Sequence, residues 1–250
     1  MADSGKKHSK AYITFTNRLL HFNDDLELMD IMCRYVSATN TANGSLFSKM
    51  NPAKYPYIAR YDVSQDNRIK IATHAKATMS AAYVKDLYEE FASYLRSALA
   101  EAFSNMKASP ERIVGDLSKL NMSLKDILTY AQSGDIVGEV INLIFQGLES
   151  ERSTIKLIGK VCGRLGLDIK ADIIKEAVYY LEIRHKLVHA DGFADDKFSA
   201  EHKKLKYTAD SYIDLTYSTL TAMRQKVSAL VEAIDDEAIT KQILRPHTEP

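Results

Sequence analysis

The sequence predicts an all-α protein, an up-and-down helical bundle that carries a small mixed α/β N-terminal extension. Three observations predict it. From about Thr78 onward apolar residues recur at i, i+3, i+4 and i+7 through several segments, the period of one helix face. Residues that cap or stop helices stand at the ends of those segments. Strand-like alternation is confined to one short run near the start, Ala11 to Thr16.

Taken in order, Met1 to Lys10 is polar and basic without an apolar run, so it reads as a disordered tail and not as a signal peptide. Residues 11–77 read as a separate subdomain or cap. In it Ile13 and Phe15 alternate with polar residues as in a strand, and Asn23 or Asp24 caps a helix through Leu26, Met29, Cys33 and Val36. A loop at Thr39 to Gly44, tyrosine-rich sequence between Pro52 and Tyr61, and a turn at Ser64-Gln65-Asp66-Asn67 follow.

Residues 78–240 form the helical domain. Val84, Leu87, Tyr88, Phe91, Leu95, Ala98, Leu99 and Ala102 line a long helix ending near Asn105. Ser109-Pro110 starts a short one through Leu117, and the capping box at Ser123 to Asp126 starts another. Asp135 caps a helix through Leu148; Ser153 caps one through Cys162, stopped by Gly163 and Gly166. A helix over 169–190 follows, with Asp168 as N-cap and Gly192 beyond its end. A last helix from Glu201 to Ile239 carries Ala209, Tyr212, Ile213, Thr216, Leu220 and Val227 on its stripe, and residues 241–250 form a tail.

Composition narrows the function classes. At 46% hydrophobic residues the chain can bury a sizeable core. Lys plus Arg equals Asp plus Glu at 33 each, so any nucleic-acid contact must come from a local basic patch. Cys33 and Cys162 have no CxxC spacing, which fits a reducing cytoplasm and buried small side chains rather than a zinc or disulfide framework. The most apolar stretch, Ile136 to Leu148, is too short for a membrane span. Glycine-rich phosphate loops and a Gly-x-Ser-x-Gly elbow are both absent.

The segment Arg184-His185-Lys186-Leu187-Val188-His189 stands out, because it sets cationic and imidazole groups on or beside the stripe of Ile174, Ala177, Val178, Leu181 and Val188. At about 100° per residue His185 falls within about 40° of the stripe's centre, with Arg184 and His189 roughly 70° to either side. Burying such groups unpaired costs several kcal/mol, so this end of the helix should line a cleft or interface. Guanidinium and imidazole together suit phosphate chemistry, the first gripping oxygens and the second exchanging protons near neutral pH. Plainer readings stand beside this one. Arg184 and His189 would offset the helix dipole, His185 would be a core histidine bonded to Glu182, and Lys186 would be solvated. Glu182, His185 and His189 also share one face as a candidate metal set, but no second Glu-x-x-His or HExxH exists to complete it. His8, His21, His74, His202 and His247 form no cluster in sequence.

The Arg-His-x-x-x-His pattern near the end of a penultimate long helix resembles the signature of the HEPN superfamily: Arg, four to six residues, His, with Asn, Asp or His favoured after the Arg. The resemblance covers about residues 78–240. It implies an all-α fold dimerised with the two motif helices facing across a cleft, and a metal-independent endoribonuclease without cofactor. His189 would then be general acid or base, Arg184 would stabilise phosphorane charge, and His185 would orient the pair or touch phosphate, with Glu182 behind it. Lys186, Lys203, Lys204 and Lys206 would contact the RNA backbone. The same resemblance implies a toxin or antiphage-defence setting with a cognate antitoxin, and equally admits a non-catalytic partner module.

Overall fold

The computed structural model describes residues 6–38, 50–51, 53–57, 64–105, 110–114, 129, 136–149, 153–190, 192–203 and 207–248. Among them the protein is all-α, and the only β-type pairing is two isolated bridges, Ser9 with Pro246 and Phe193 with Tyr212. The helices are α1 (Lys10–Ala38), α2 (Gln65–Ser104), α3 (Pro110–Val114), α4 (Ile136–Glu149), α5 (Thr154–Leu165), α6 (Ala171–His189), α7 (Asp196–Glu201) and α8 (Tyr217–Thr240).

The first third departs most from the sequence reading. Ala11 to Thr16 is not a strand but the opening of α1, and Asn23 and Asp24 lie inside that helix rather than capping one. The α/β character expected there is absent from the described residues. The cause is a start signal further upstream: Ser9 Oγ accepts the Tyr12 N–H at 3.1 Å, and Phe15, Leu19, Leu26 and Cys33 then form a narrow buried stripe. The alternation about Ile13 and Phe15 is too short to compete with a stripe of that length.

Likewise Ser64 to Asn67 is no turn but the start of α2, with Ser64 Oγ accepting the Asn67 N–H. The helix therefore begins at Gln65 rather than near Thr78, and the boundary anticipated at residue 77 falls within it. α1 and α2 run antiparallel, since Arg18 pairs with Glu90 while Asp30 pairs with Lys76.

α2 is the central member. It packs against α1, α3, α4, α5, α6 and α8, and its Leu87, Phe91, Leu95, Ala98, Leu99 and Ala102 are essentially inaccessible to solvent. Val227, Leu230, Val231 and Ile234 of α8, Ala177 and Leu181 of α6, and Ile158 and Val161 of α5 complete the core. At about 25 cal/mol per Å² of apolar area, each such Leu or Ile contributes roughly 1.5–3 kcal/mol. Cys33 and Cys162 are buried free thiols, as expected, and burial raises both above the ordinary thiol value, Cys162 to about 11.

Around the motif the bounds shift. α6 spans Ala171–His189, with Lys170 rather than Asp168 at its cap; the Asp168 N–H instead donates to Glu237 of α8. Gly192, at φ 82°, turns the chain after α6, its N–H donating to the Lys186 carbonyl. The helix expected from Glu201 to Ile239 begins only at Tyr217, as α8, and Glu201 instead ends a separate short helix, α7. Between them residues 207–216 are non-helical, with a turn at Ala209–Asp210, and are bonded back through Ala194 N–H to Ser211 O and Ile213 N–H to Gly192 O. Tyr212 and Ile213 fit helical spacing, but Asp210 adopts φ 57° and Thr216 caps a fresh helix by accepting the Thr219 N–H. Pro110–Val114 is helical as anticipated, whereas the helix assigned to Ser123 lies outside the described residues.

Candidate functional site

The C-terminal half of α6 fans its polar side chains toward two different neighbours. Arg184 faces α2: its guanidinium carbon sits 4.8 Å from the centre of the Tyr88 ring, and Nη2 lies 3.3 Å from Glu89 Oε1. The Arg184 side chain is partly buried and its Nε has no partner, while the Glu89 carboxylate is 61% exposed. An ion pair with one member so exposed contributes about 0–1 kcal/mol, so this guanidinium is positioned by stacking more than it is neutralised.

Glu182 and Lys186 face the opposite side, toward α7. Glu182 does not hold His185, as the plainer reading had it, but accepts from or pairs with His202 Nε2 at 3.0 Å. His202 caps the end of α7 and is 5% exposed, wedged between Tyr179 and Phe198 with ring-centre separations of 5.2 and 4.6 Å. Lys186 is not a solvated side chain. It is largely buried, 2.5 Å from Asp195 Oδ2 and over the Phe198 ring, while Asp195 caps α7 by accepting the Phe198 N–H.

His185 and His189 lie between these sides. Both are exposed, and their rings are 4.7 Å apart. Val188, expected on the buried stripe, is 42% exposed; the buried residues of α6 are Ala177, Val178, Leu181 and Ile183. His185 titrates below the ordinary imidazole value although its outer edge meets solvent. Partial burial of the ring is the first cause, and the charges of His189 and Lys186 add to the shift, outweighing Glu182.

A cleft of about 550 Å³ opens between α6, α7 and the start of α5, lined by Tyr179, Glu182, His185, Lys186, Asp195 and His202 among others. Lys175, Lys186 and Lys197 meet Glu182, Asp195 and Glu201 there, so the cleft holds charges of both signs. Arg184 and His189 are outside its lining. Five residues apart on a helix, these two stand about 140° from each other around the axis. Lys203 is exposed, and Lys204 and Lys206 lie outside the described residues.

For metal ligation the structure assembles a different set from Glu182, His185 and His189. Among the described residues it brings together Glu182, Glu201 and His202, with one ligand atom of each within 4.8 Å of the others. His202 was invisible in sequence because it lies 20 residues from Glu182. The signal that could have found it is Asp195, an N-cap whose short helix ends at Glu201-His202. No helix among the described residues is long and apolar enough to cross a membrane. No protein-family model matches the chain, and neither a curated protein nor a solved structure is significantly similar to it.

Proposed function

We propose that this protein is a metal-independent endoribonuclease of the kind its Arg-His-x-x-x-His segment resembles. The observation that carries the reading is the pair of solvent-facing imidazoles, His185 and His189, one turn apart at the end of α6 beside an arginine held by a ring and an exposed carboxylate. In this reading the RNA 2′-oxygen attacks the adjacent phosphorus, the 5′-oxygen leaves, and the products are a 2′,3′-cyclic phosphate and a 5′-OH. His189 transfers the proton between the two oxygens and solvent. Arg184 offsets charge on the non-bridging oxygens once Glu89 gives way. His185, kept neutral more of the time by its surroundings, orients the phosphate or relays the proton.

The angle between Arg184 and His189 favours a second copy completing the site, since one phosphate cannot easily meet both from one face. Val188, Phe193 and Tyr212, which are 42%, 47% and 51% exposed, supply apolar surface next to the motif for such a homodimer. RNA is the proposed substrate, the cytoplasm the proposed location, and a cognate antitoxin the proposed regulator of a toxin or defence effector. One observation favours the alternative of a non-catalytic partner module: Arg184 already has a ring and a carboxylate as partners.

The test is expression with product analysis. Wild-type chain should be toxic and leave 2′,3′-cyclic phosphate ends in the presence of chelator, it should spare DNA and RNA 2′-O-methylated at the scissile position, and His189→Ala should relieve toxicity. A 5′-phosphate product that requires metal would overturn the reading. Unaltered cleavage in both Arg184→Ala and His189→Ala would place the site elsewhere.

A further inference from the structure

We infer that Glu182, Glu201 and His202 form a binding site for one divalent transition ion of the Zn²⁺ class, clamping α7 onto α6. The inference does not rest on the ribonuclease reading, because the ion is asked to fix α7 and takes no part in cleavage. The three donors come from two elements. Glu182 projects from α6, and Glu201 and His202 end α7. Their ligand atoms lie within 4.8 Å of one another at the wall of a cleft roomy enough for an ion and its water.

The distances fit ligation. Two donors each about 2.0–2.2 Å from one ion stand roughly 3.4 Å apart at the tetrahedral angle, and Glu182 Oε2, now 3.0 Å from His202 Nε2, reaches that spacing by backing off a few tenths of an ångström. Glu201 must close the remaining gap. It is exposed, and its ion pair with Lys197, at 4.0 Å, is loose enough for its rotamer to change. The imidazole needs no such movement, since Tyr179 and Phe198 hold the ring at fixed tilt.

His202 is the independent sign that the cluster is more than surface acidity. Its ring is 5% exposed, yet Nδ1 is buried without a hydrogen-bond partner and Nε2 meets only a carboxylate. Nε2 of this buried ring is thus aimed into the cluster and has no partner outside it, so it is the nitrogen that would take the ion, with Nδ1 on the far side of the ring carrying the proton. The chemistry selects the ion: one imidazole with two carboxylates suits Zn²⁺ better than Ca²⁺ or Mg²⁺, which favour all-oxygen shells. Three protein ligands leave a fourth, water-filled position toward the cleft.

The test must separate this site from His185 and His189, whose one-turn spacing can itself hold Zn²⁺. Zn²⁺ is therefore titrated calorimetrically into the full chain carrying His189→Ala, and into the same chain with Glu201→Gln or Glu182→Gln added. Glu201 is exposed and Glu182→Gln keeps an acceptor for His202, so both variants should retain the helical circular-dichroism signal. The expected result is about one equivalent of Zn²⁺ per chain, a higher melting temperature with Zn²⁺, and affinity lowered about tenfold or more in each Gln variant. Absence of binding, or affinity unchanged in either Gln variant, overturns the site. Cleavage is read separately in the wild-type chain: Zn²⁺ binding of this kind with no RNA cleaved by the wild-type chain sinks the ribonuclease and leaves the clamp standing, whereas cleavage by the wild-type chain with no Zn²⁺ bound does the reverse.

Discussion

His185 shows how much one imidazole depends on its neighbours. Partial burial lowers its titration first, and the charges of His189 and Lys186 lower it further. The expected outcome of a proton-nitrogen NMR titration is a His185 midpoint below the unperturbed value of about 6.5, moving up in His189→Ala as a repelling charge is removed. The sign for stability follows. Because the folded protein disfavours protonation of this ring, its contribution is present above the unfolded value and is lost as pH falls through the lower folded value. A midpoint at or above that of a denatured control would show the ring to be free of these contacts. For the chemistry, removing either Arg184 or His189 by alanine should lower RNA cleavage about 10²- to 10⁴-fold with the helical signal intact, the usual cost of losing one proton-transfer or charge-stabilising group. Cleavage rates measured alongside circular dichroism decide it.

At the scale of elements, α6 depends on how its end is turned. Gly192 adopts φ 82°, and a Cβ there would lie 2.8 Å from a ring carbon of Tyr212. Tyr212 is half exposed and can swing aside, so the cost of Gly192→Ala is chiefly the left-handed backbone, about 1 kcal/mol or somewhat more. A lower denaturation midpoint with unchanged slope is the expected result, and an unchanged midpoint would mean that the turn relaxes freely. This glycine was readable in the sequence, as were α2 from Val84 onward, α5, α6 and α8, because each of these helices repeats an apolar stripe over three or more turns. α1 was misread because its stripe is thin and its cap, Ser9, sits in what looked like a tail. The break between α7 and α8 was hidden because Tyr212 and Ile213 keep helical spacing by coincidence while pairing in an extended segment. At the site, Arg184, His185 and His189 could be found from one helix alone. The partners Tyr88, Glu89, Asp195, Glu201 and His202 were not found, since they come from elsewhere in the fold and the one local sign, the Asp195 cap of the short helix ending at Glu201-His202, does not say which face that helix meets.

Across the whole molecule, α2 organises the core but Asp235 of α8 fastens the first described segment to it. Asp235 is fully buried and accepts the Ser9 N–H at 3.0 Å and the Ser9 hydroxyl through a short bond, with the Tyr94 hydroxyl at 3.4 Å and His8 Nδ1 also 3.4 Å away. The last segment is drawn into the same region. The His247 N–H donates to the His8 carbonyl, and Ile243 and Leu244 pack into the core while Asn105 of α2's cap holds the Ile243 carbonyl. The start of α1 and Tyr94 of α2 thus meet at one carboxylate, and the chain after α8 is tied to His8 beside them and to the cap of α2. Asp235→Ala would leave the Ser9 N–H, the Ser9 hydroxyl and the Tyr94 hydroxyl without their acceptor in a space closed to water. Each orphaned group costs about 1–3 kcal/mol, partly recovered where the site relaxes, so a net loss of about 3 kcal/mol is expected. Ser9→Ala removes only the hydroxyl contacts and should cost about 1 kcal/mol. Because both changes break one network, the double variant should be less destabilised than the sum of the two. Urea denaturation of all four proteins reads this coupling, and strictly additive losses would mean that Asp235 stabilises the fold without holding Ser9.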